Sequence, residues 1–170
     1  MIDSCARNCQ SRLTVVRDPV TASEALVLAD FVPFRLNRLA DAVSRNLSEV
    51  YRRRFGLEIP EWRVLVTVGQ HGDCTAQHIA ASTRMHKTRV SRAVSGLEAR
   101  KLLARQLSGD DGRELRLHLT AGGRRVYEEL VPLALERERS LLACLGGNRQ
   151  QGFLSALSAL EQSLGLSADE

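Results

Sequence analysis

Large aromatic side chains are scarce in this sequence of 170 residues, which has one tryptophan, two tyrosines and four phenylalanines. Proteins that bind single-stranded nucleic acid stack bases on such side chains, so the scarcity argues against that class. Apolar runs are short as well, and none approaches the roughly 18 residues of a membrane-spanning helix. Residues 1–19 lack the apolar segment and cleavage motif of a secretory signal. We therefore expect a cytoplasmic protein with no membrane partner.

Signatures of catalysis and of metal binding are also missing from the sequence. It has no nucleophile elbow, P-loop or glycine-rich dinucleotide turn, and its four histidines show no paired ligand spacing. We therefore expect no enzyme activity, no metal and no cofactor. The cysteines (Cys5, Cys9, Cys74 and Cys144) are expected to be reduced and structural. The Cys5/Cys9 spacing leaves a redox or metal role open, although no second ligand pair follows at a zinc spacing.

Positive charge is concentrated in one stretch of the chain. Residues 84–105 hold seven lysines and arginines and one acid, Glu98, so their net charge is +6 while that of the whole chain is +4. A local excess of this kind indicates a confined surface for a polyanion, not a generally adhesive protein. The alternative is an ordinary solvated helix face.

The same stretch has the periodicity of an amphipathic helix. Its apolar face, which we expect to be buried, consists of Val90, Ala93, Val94 and Leu97. At about 100° per residue, the opposite face carries cations and hydroxyls, namely Thr88, Arg92 and Ser95, flanked by Arg89 and Ser91. A short helix capped by Thr75 and a turn precede it. This order predicts a helix-turn-helix that presents the second helix to the major groove of DNA.

The remaining elements surround this motif. Before it we predict a helix from Thr21 to about residue 51, with a kink or break at Pro33 and a stop at Gly56, and a helix that Pro60 opens and the glycines of 69–72 end. After it, residues 102–107 are short and extended, residues 108–112 carry a dense turn signal, and residues 114–119 alternate strictly between polar and apolar. Together they predict a half-buried β-hairpin. Thr120 is expected to cap a helix to about residue 145, bent at Pro132.

A last helix carries an unmatched apolar stripe, formed by Phe153, Leu157, Leu160 and Leu164. Such a stripe favours packing against a second subunit. The predicted fold class is therefore mainly α with a small β-hairpin wing. It comprises a flexible arm (1–20), a winged helix-turn-helix lobe (59–119), and a helical dimerisation region formed by both ends of the chain (21–58 and 120–166).

This order of elements resembles the MarR family of bacterial transcription regulators over about residues 26–164. The segments IAASTRMHKTRVSRAVSGLEARKLLAR and GDDGRELRLHLTAGGRRV carry the resemblance. It implies a homodimer that binds a pseudo-palindromic site on double-stranded DNA. It also implies that the protein is a repressor and that a small effector releases it from DNA. The expected effector is an aromatic acid, a phenolic compound or its thioester.

The resemblance also assigns residues to these roles. DNA contacts would come from Thr75 and Lys87 at phosphates, from Thr88, Arg89, Ser91 and Arg92 in the major groove, and from Arg113 in the minor groove, positioned by Asp111. The effector would lie near Phe34, Asn37, Arg38, Trp62 and Arg63, although each of these also fits an ordinary core or surface role. His86, Thr83 and Gly112 depart from the family pattern at the helix cap, the turn and the wing. A cysteine-based redox regulator of this fold and a helical interaction module without DNA binding are the alternatives.

Overall fold

The computed structural model describes residues 25–107 and 115–166. The elements in chain order are α1 (Val32–Phe55), α2 (Ile59–His71), α3 (Ala76–Thr83), α4 (Lys87–Ala99), β1 (Leu103–Leu107), β2 (Leu115–Leu119), α5 (Ala121–Ala143) and α6 (Gly147–Ser163). This confirms the predicted fold class. The chain divides into two compact units, Met1–Leu39 and Ala40–Glu170. The proposed division into dimerisation and DNA-binding regions stays a prediction, and the arm at residues 1–20 lies outside the described residues.

Helix α1 begins later than the sequence predicted. Residues 27–31 form a turn, in which the Phe31 N–H donates to the Val27 carbonyl at 3.1 Å, and the helix starts at Val32. Pro33 is therefore the second residue of the helix and not an interruption within it, because the first turn has no intrahelical acceptor for its missing N–H. The predicted stop is confirmed: Gly56 has a φ of 60°, and its N–H donates to the Arg52 carbonyl at 2.9 Å.

Helix α2 begins as predicted and ends beyond the first of its glycines. Pro60 lies in the first turn, and the helix ends at Gly72, which has a φ of 73°. Gly69, predicted as part of the stop, lies inside the helix. A Cβ at Gly69 would overlap the ring of Tyr127 on α5, so this glycine permits close packing and does not end the helix.

The hydrophobic core lies where α2, α3 and α4 meet the hairpin and α5. The predicted inner face of α4 is confirmed, since its four apolar residues are at most 4% exposed. Each large apolar side chain buried in this way contributes about 1.5–3 kcal/mol. Other fully buried members are Leu57, Val64, Leu65, Val68, Ile79 and Leu130. The outward face of α4 is fixed by this packing.

Strands β1 and β2 form the predicted antiparallel hairpin, in register from Leu103 opposite Leu119 to Leu107 opposite Leu115. Leu117 is buried, whereas Leu107 and Leu115 are exposed, so the hairpin leaves the core as it approaches its tip. Near the middle of β2, Cys74 adds a short bridge to Leu117, with N···O distances of 2.8 and 3.2 Å. This bridge was not predicted from the sequence.

The two C-terminal helices differ in how they are covered. Thr120 caps α5 as predicted, accepting the Gly123 N–H at 3.0 Å, and a Cβ at Gly123 would overlap the Leu102 carbonyl. Pro132 lies within α5, and the predicted bend there stays a prediction. On α6 the predicted stripe is exposed: Phe153, Leu157 and Leu160 by 38–47%, and Leu164, just past the helix, by 72%. In a single chain the described residues therefore cover this stripe only in part.

Candidate nucleic-acid interface

Helix α3 has a defined cap at each of its ends. Thr75 caps α3, and its hydroxyl accepts the His78 N–H at 3.1 Å, as predicted. At the other end of α3, Arg84 adopts a left-handed conformation with a φ of 52°. Thr83, which departs from the family pattern, donates its hydroxyl proton to the Ile79 carbonyl. The polar group of Thr83 is thus satisfied within its own helix.

His86 caps the start of α4. Its Nδ1 accepts the Thr88 N–H at 3.3 Å, and its backbone is extended with a ψ of 140°. The imidazole therefore does what a serine or aspartate does at other helix starts. Because Nδ1 is the acceptor, the neutral ring carries its proton on Nε2. The departure from the family pattern at His86 therefore leaves the helix start capped, through a long hydrogen bond.

The outward face of α4 presents the predicted DNA-contacting residues to solvent. Lys87, Thr88, Arg89, Ser91 and Arg92 are all exposed. Within the ranges that the structure describes, the lysine and the two arginines have no side-chain hydrogen bond or ion pair. Lys87, Arg89 and Arg92 lie within two turns of each other on the exposed face of α4, and together they form a strongly positive surface for phosphates.

At the other end of the basic stretch, arginine side chains form hydrogen bonds within the protein. Arg105 on β1 makes a two-pronged contact with Glu98, with Nε–Oε1 and Nη2–Oε2 distances of 2.7 and 2.9 Å. Arg100 donates to the carbonyls of Phe55 and Gly56, the latter at 3.0 Å. Both arginines were counted toward the basic surface from the sequence, which did not predict their contacts with Glu98 and with the carbonyls of Phe55 and Gly56. The Glu98/Arg105 pair was visible only as opposite charges on adjacent predicted elements.

A groove of about 320 Å³ separates the start of α4 from the hairpin. Lys87 and Ser91 line it from α4, Arg105 from β1, and Leu115 and Leu117 from β2. Lys87 and Ser91 thus share one concave surface with both strands of the hairpin. The predicted wing contacts Asp111 and Arg113, and the departure at Gly112, lie outside the described residues, so their roles stay predictions.

Three of the five predicted effector residues, Phe34, Arg38 and Trp62, make local ring contacts. In the first unit, the Arg38 guanidinium lies 5.7 Å from the centroid of the Phe34 ring, and Asn37 is exposed. In the second unit, Trp62 stacks on Tyr51 with ring centroids 5.4 Å apart, and Arg63 is half-buried. Burial raises the pKa of Tyr51, and the nearby charge of Arg63 partly opposes the rise. Their assembly into one cleft stays a prediction.

The described cysteines differ in reactivity. Cys74 is 6% exposed, and burial, assisted by the charge of Asp73, raises the pKa of its thiol to about 11. Because the thiolate is the form that oxidants attack, Cys74 is protected at neutral pH. Cys144 is exposed at the end of α5, where its Sγ lies 3.1 Å from the Leu141 carbonyl oxygen. Cys5 and Cys9 lie outside the described residues.

Two further properties concern only the part of the chain that the structure describes. No cluster of three or more histidine, cysteine, aspartate or glutamate side chains there is arranged to hold a metal ion. None of the helices there combines the length and the apolar character needed to cross a bilayer.

Comparison with known proteins relates this geometry to one family. The model of the MarR family matches residues 55–114. A MarR/EmrR family transcriptional regulator from Acinetobacter sp. ADP1 is 26% identical, with a TM-score of 0.73; the match covers 84% of this chain and 100% of that one. A comparison with curated proteins finds no match.

Two less similar structures share the fold. Bordetella bronchiseptica BpsR is 22% identical, with a TM-score of 0.71 over 81% of this chain and 98% of its own. S. aureus MepR, solved in complex with DNA, is 18% identical, with a TM-score of 0.69 over 78% of this chain and 98% of its own. The structural likeness therefore extends well beyond the segment that the family model matches.

Proposed function

Because the chain belongs to the MarR family of winged-helix, DNA-binding transcriptional regulators, we propose that it acts as a homodimeric repressor. In this proposal it occupies a pseudo-palindromic operator and is released by a small aromatic acid, a phenolic compound or its thioester. The family and the fold are those of regulators and not of enzymes.

One observation carries the proposal. The start of α4 projects Lys87, Arg89 and Arg92 from a buried apolar face, and none of the three has a side-chain partner among the described residues. Cations held without an internal partner on a rigid helix are suited to phosphates, and an arginine there has the reach for guanine O6 and N7. We assign base discrimination to Arg92, phosphate contact to Lys87 and Thr75, and further groove contacts to Thr88, Arg89 and Ser91.

The exposed apolar surface supports the homodimer. Phe153, Leu157 and Leu160 on α6 remain exposed, and so do Leu36 and Leu39 near the other end of the chain. Leaving such stripes in water is unfavourable, at about 25 cal/mol for each Å² of apolar surface. A second copy of the chain is the cover that we propose.

A substitution on α6 tests the dimer. Leu157→Glu places a charge on the stripe, so we expect a shift from dimer to monomer or aggregate in sedimentation. Ser155→Glu is the matched control, because position 155 is exposed and lies on the opposite side of the same helix. Wild-type sedimentation behaviour of Leu157→Glu would remove α6 from the dimer interface.

The effector class is the most specific part of the proposal. DNA binding by BpsR is regulated by 6-hydroxynicotinic acid, which is an aromatic acid. In this chain the Arg38 guanidinium lies over the Phe34 ring, and the charge of Arg63 acts on Tyr51, on whose ring Trp62 stacks. A cation close to an aromatic ring suits an aromatic carboxylate. Asn37 completes the candidate set.

Footprinting on DNA upstream of the protein's own gene tests the proposal as a whole. A two-fold dimer places its recognition helices in successive major grooves, so we expect two protected half-sites about 34–36 Å apart. Addition of aromatic acids should remove the protection. Protection of a single half-site would contradict the dimer, and protection that no aromatic acid or phenolic compound changes would contradict the effector class.

A further inference from the structure

The C-terminal end of α4 is tied to the end of α1 by one side chain. Arg100 directly follows α4, and its guanidinium donates to the carbonyl of Gly56 at 3.0 Å and to that of Phe55. The left-handed conformation of Gly56 makes these two successive carbonyls available to one planar donor group. Carbonyls at the end of a helix have no intrahelical partner and carry its negative dipole end, so a guanidinium is favourable there.

Glu61 on α2 joins the same cluster. Its Oε2 accepts the Glu58 N–H at 2.8 Å and lies 3.9 Å from Nη1 of Arg100. Its Oε1 lies against α4 at Gly96, where an added Cβ would be only 2.6 Å away. One polar cluster therefore connects the end of α1, the start of α2 and the end of α4.

The ion pair between Arg100 and Glu61 contributes little to the stability of the fold. The side chain of Arg100 is 38% exposed, so its contact with Glu61 is screened by solvent and is expected to be weak. Burial of the apolar face of α4 already holds this helix against the core. The cluster fixes the position of the end of α4 relative to α1 and α2.

We propose that Arg100 and Glu61, with the carbonyls of Phe55 and Gly56, form a latch that sets the position of α4 for base recognition. Arg100 is then a positioning residue and not a DNA contact. The proposal rests on the proposed function, since it requires α4 to read DNA. Phosphate contacts hold a protein on any sequence, whereas base contacts need defined geometry. Loss of the latch should therefore reduce discrimination more than general affinity.

A matched pair of substitutions separates positioning from charge. Arg100→Gln removes one cation together with the latch. Lys101→Gln removes the neighbouring exposed cation, whose side chain has no partner within the described ranges. Affinity is measured for a duplex that the wild-type protein selects from a randomised pool and for a scrambled duplex of equal composition, with thermal unfolding in parallel.

We expect Arg100→Gln to weaken binding to the selected duplex by about tenfold, the loss of one base contact. Its affinity for the scrambled duplex should change by no more than about twofold, as should both affinities of Lys101→Gln, because a single charge remote from DNA contributes little. Equal losses on the two duplexes, or no loss on either, would overturn the latch.

Gly96→Ala tests the same cluster without changing a charged residue. The added methyl group displaces the flexible end of Glu61, while alanine favours the helix more than glycine does. We expect an unfolding temperature at or above that of the wild type, together with a selective loss on the selected duplex. This variant keeps the test decisive if Arg100→Gln folds poorly, and unchanged discrimination by Gly96→Ala would then refute the latch.

Arg92→Ala distinguishes failure of the latch from failure of DNA reading by α4. If Arg92→Ala loses discrimination and Arg100→Gln keeps it, only the latch is wrong. If the wild type selects no duplex, or if Arg92→Ala and Arg100→Gln both discriminate normally, the latch fails together with the assignment of base reading to Arg92.

Discussion

The two ends of the basic stretch carry the same kind of side chain and use it differently. At the start of α4, Lys87, Arg89 and Arg92 are exposed and have no side-chain partner among the described residues. At the other end, Arg100 binds helix-end carbonyls and Arg105 binds Glu98. Local net charge therefore overstates the surface available to DNA. What decides the role of each cation is whether the fold brings an acceptor to it.

The largest expected effect comes from the first of these two groups. Arg92→Ala should weaken binding to a selected duplex by about 1–3 kcal/mol, the contribution of one good base contact. The urea midpoint of unfolding should not change, because the side chain is exposed. Titrations at one fixed salt concentration measure the affinity. Equal losses on selected and scrambled duplexes would remove Arg92 from base reading.

A smaller effect, on stability, is expected from the second group. Arg105→Gln should lower the free energy of unfolding by about 1 kcal/mol or less, a range already discounted for solvent screening because the Arg105 side chain is 42% exposed. Urea unfolding of Arg105→Gln, Glu98→Gln and the double variant isolates the coupling between the two side chains. Strictly additive losses would show that the two-pronged contact contributes no stability.

The smallest expected effect is a gain in stability from a change at Lys101, which lies between Arg100 and Arg105 in the sequence. Lys101 has a φ of 57°, a conformation that is unfavourable for a residue with a Cβ. Lys101→Gly should therefore raise the free energy of unfolding by about 0.5 kcal/mol, since relief of strain exceeds the added freedom of the unfolded chain. Lys101→Ala, which removes the charge and keeps the Cβ, is the control. A gain as large in Lys101→Ala would assign the effect to charge.

The features that the sequence predicted correctly depend on neighbours in the chain. The buried face of α4 follows from apolar spacing, and the caps at Thr75 and Thr120 follow from a hydroxyl just before a helix. The predicted start of α1 was wrong, because a proline occurs both at a helix kink and in the first turn of a helix. The local sequence pattern does not distinguish these two positions.

The features that were missed join residues far apart in sequence. Arg100 lies 44 residues from its acceptor Gly56, and no periodicity relates the two. Gly69 resembles a helix stop until α5 places Tyr127 against it. For the candidate site, the exposed cations of α4 were predictable, but the removal of Arg100 and Arg105 from that surface required the tertiary structure.

The salt dependence of DNA binding tests most directly whether the two ends of the basic stretch differ in function. Two double variants remove the same charge: Lys87→Gln with Arg89→Gln, and Arg100→Gln with Arg105→Gln. Each phosphate contact contributes about −0.9 to the slope of log affinity against log salt concentration. We expect the first pair to reduce the magnitude of the slope by at least about 1, through the phosphate contact assigned to Lys87, and the second pair to leave the slope at its wild-type value. Equal reductions by the two pairs would contradict the division of α4 into a DNA-binding start and an anchored end.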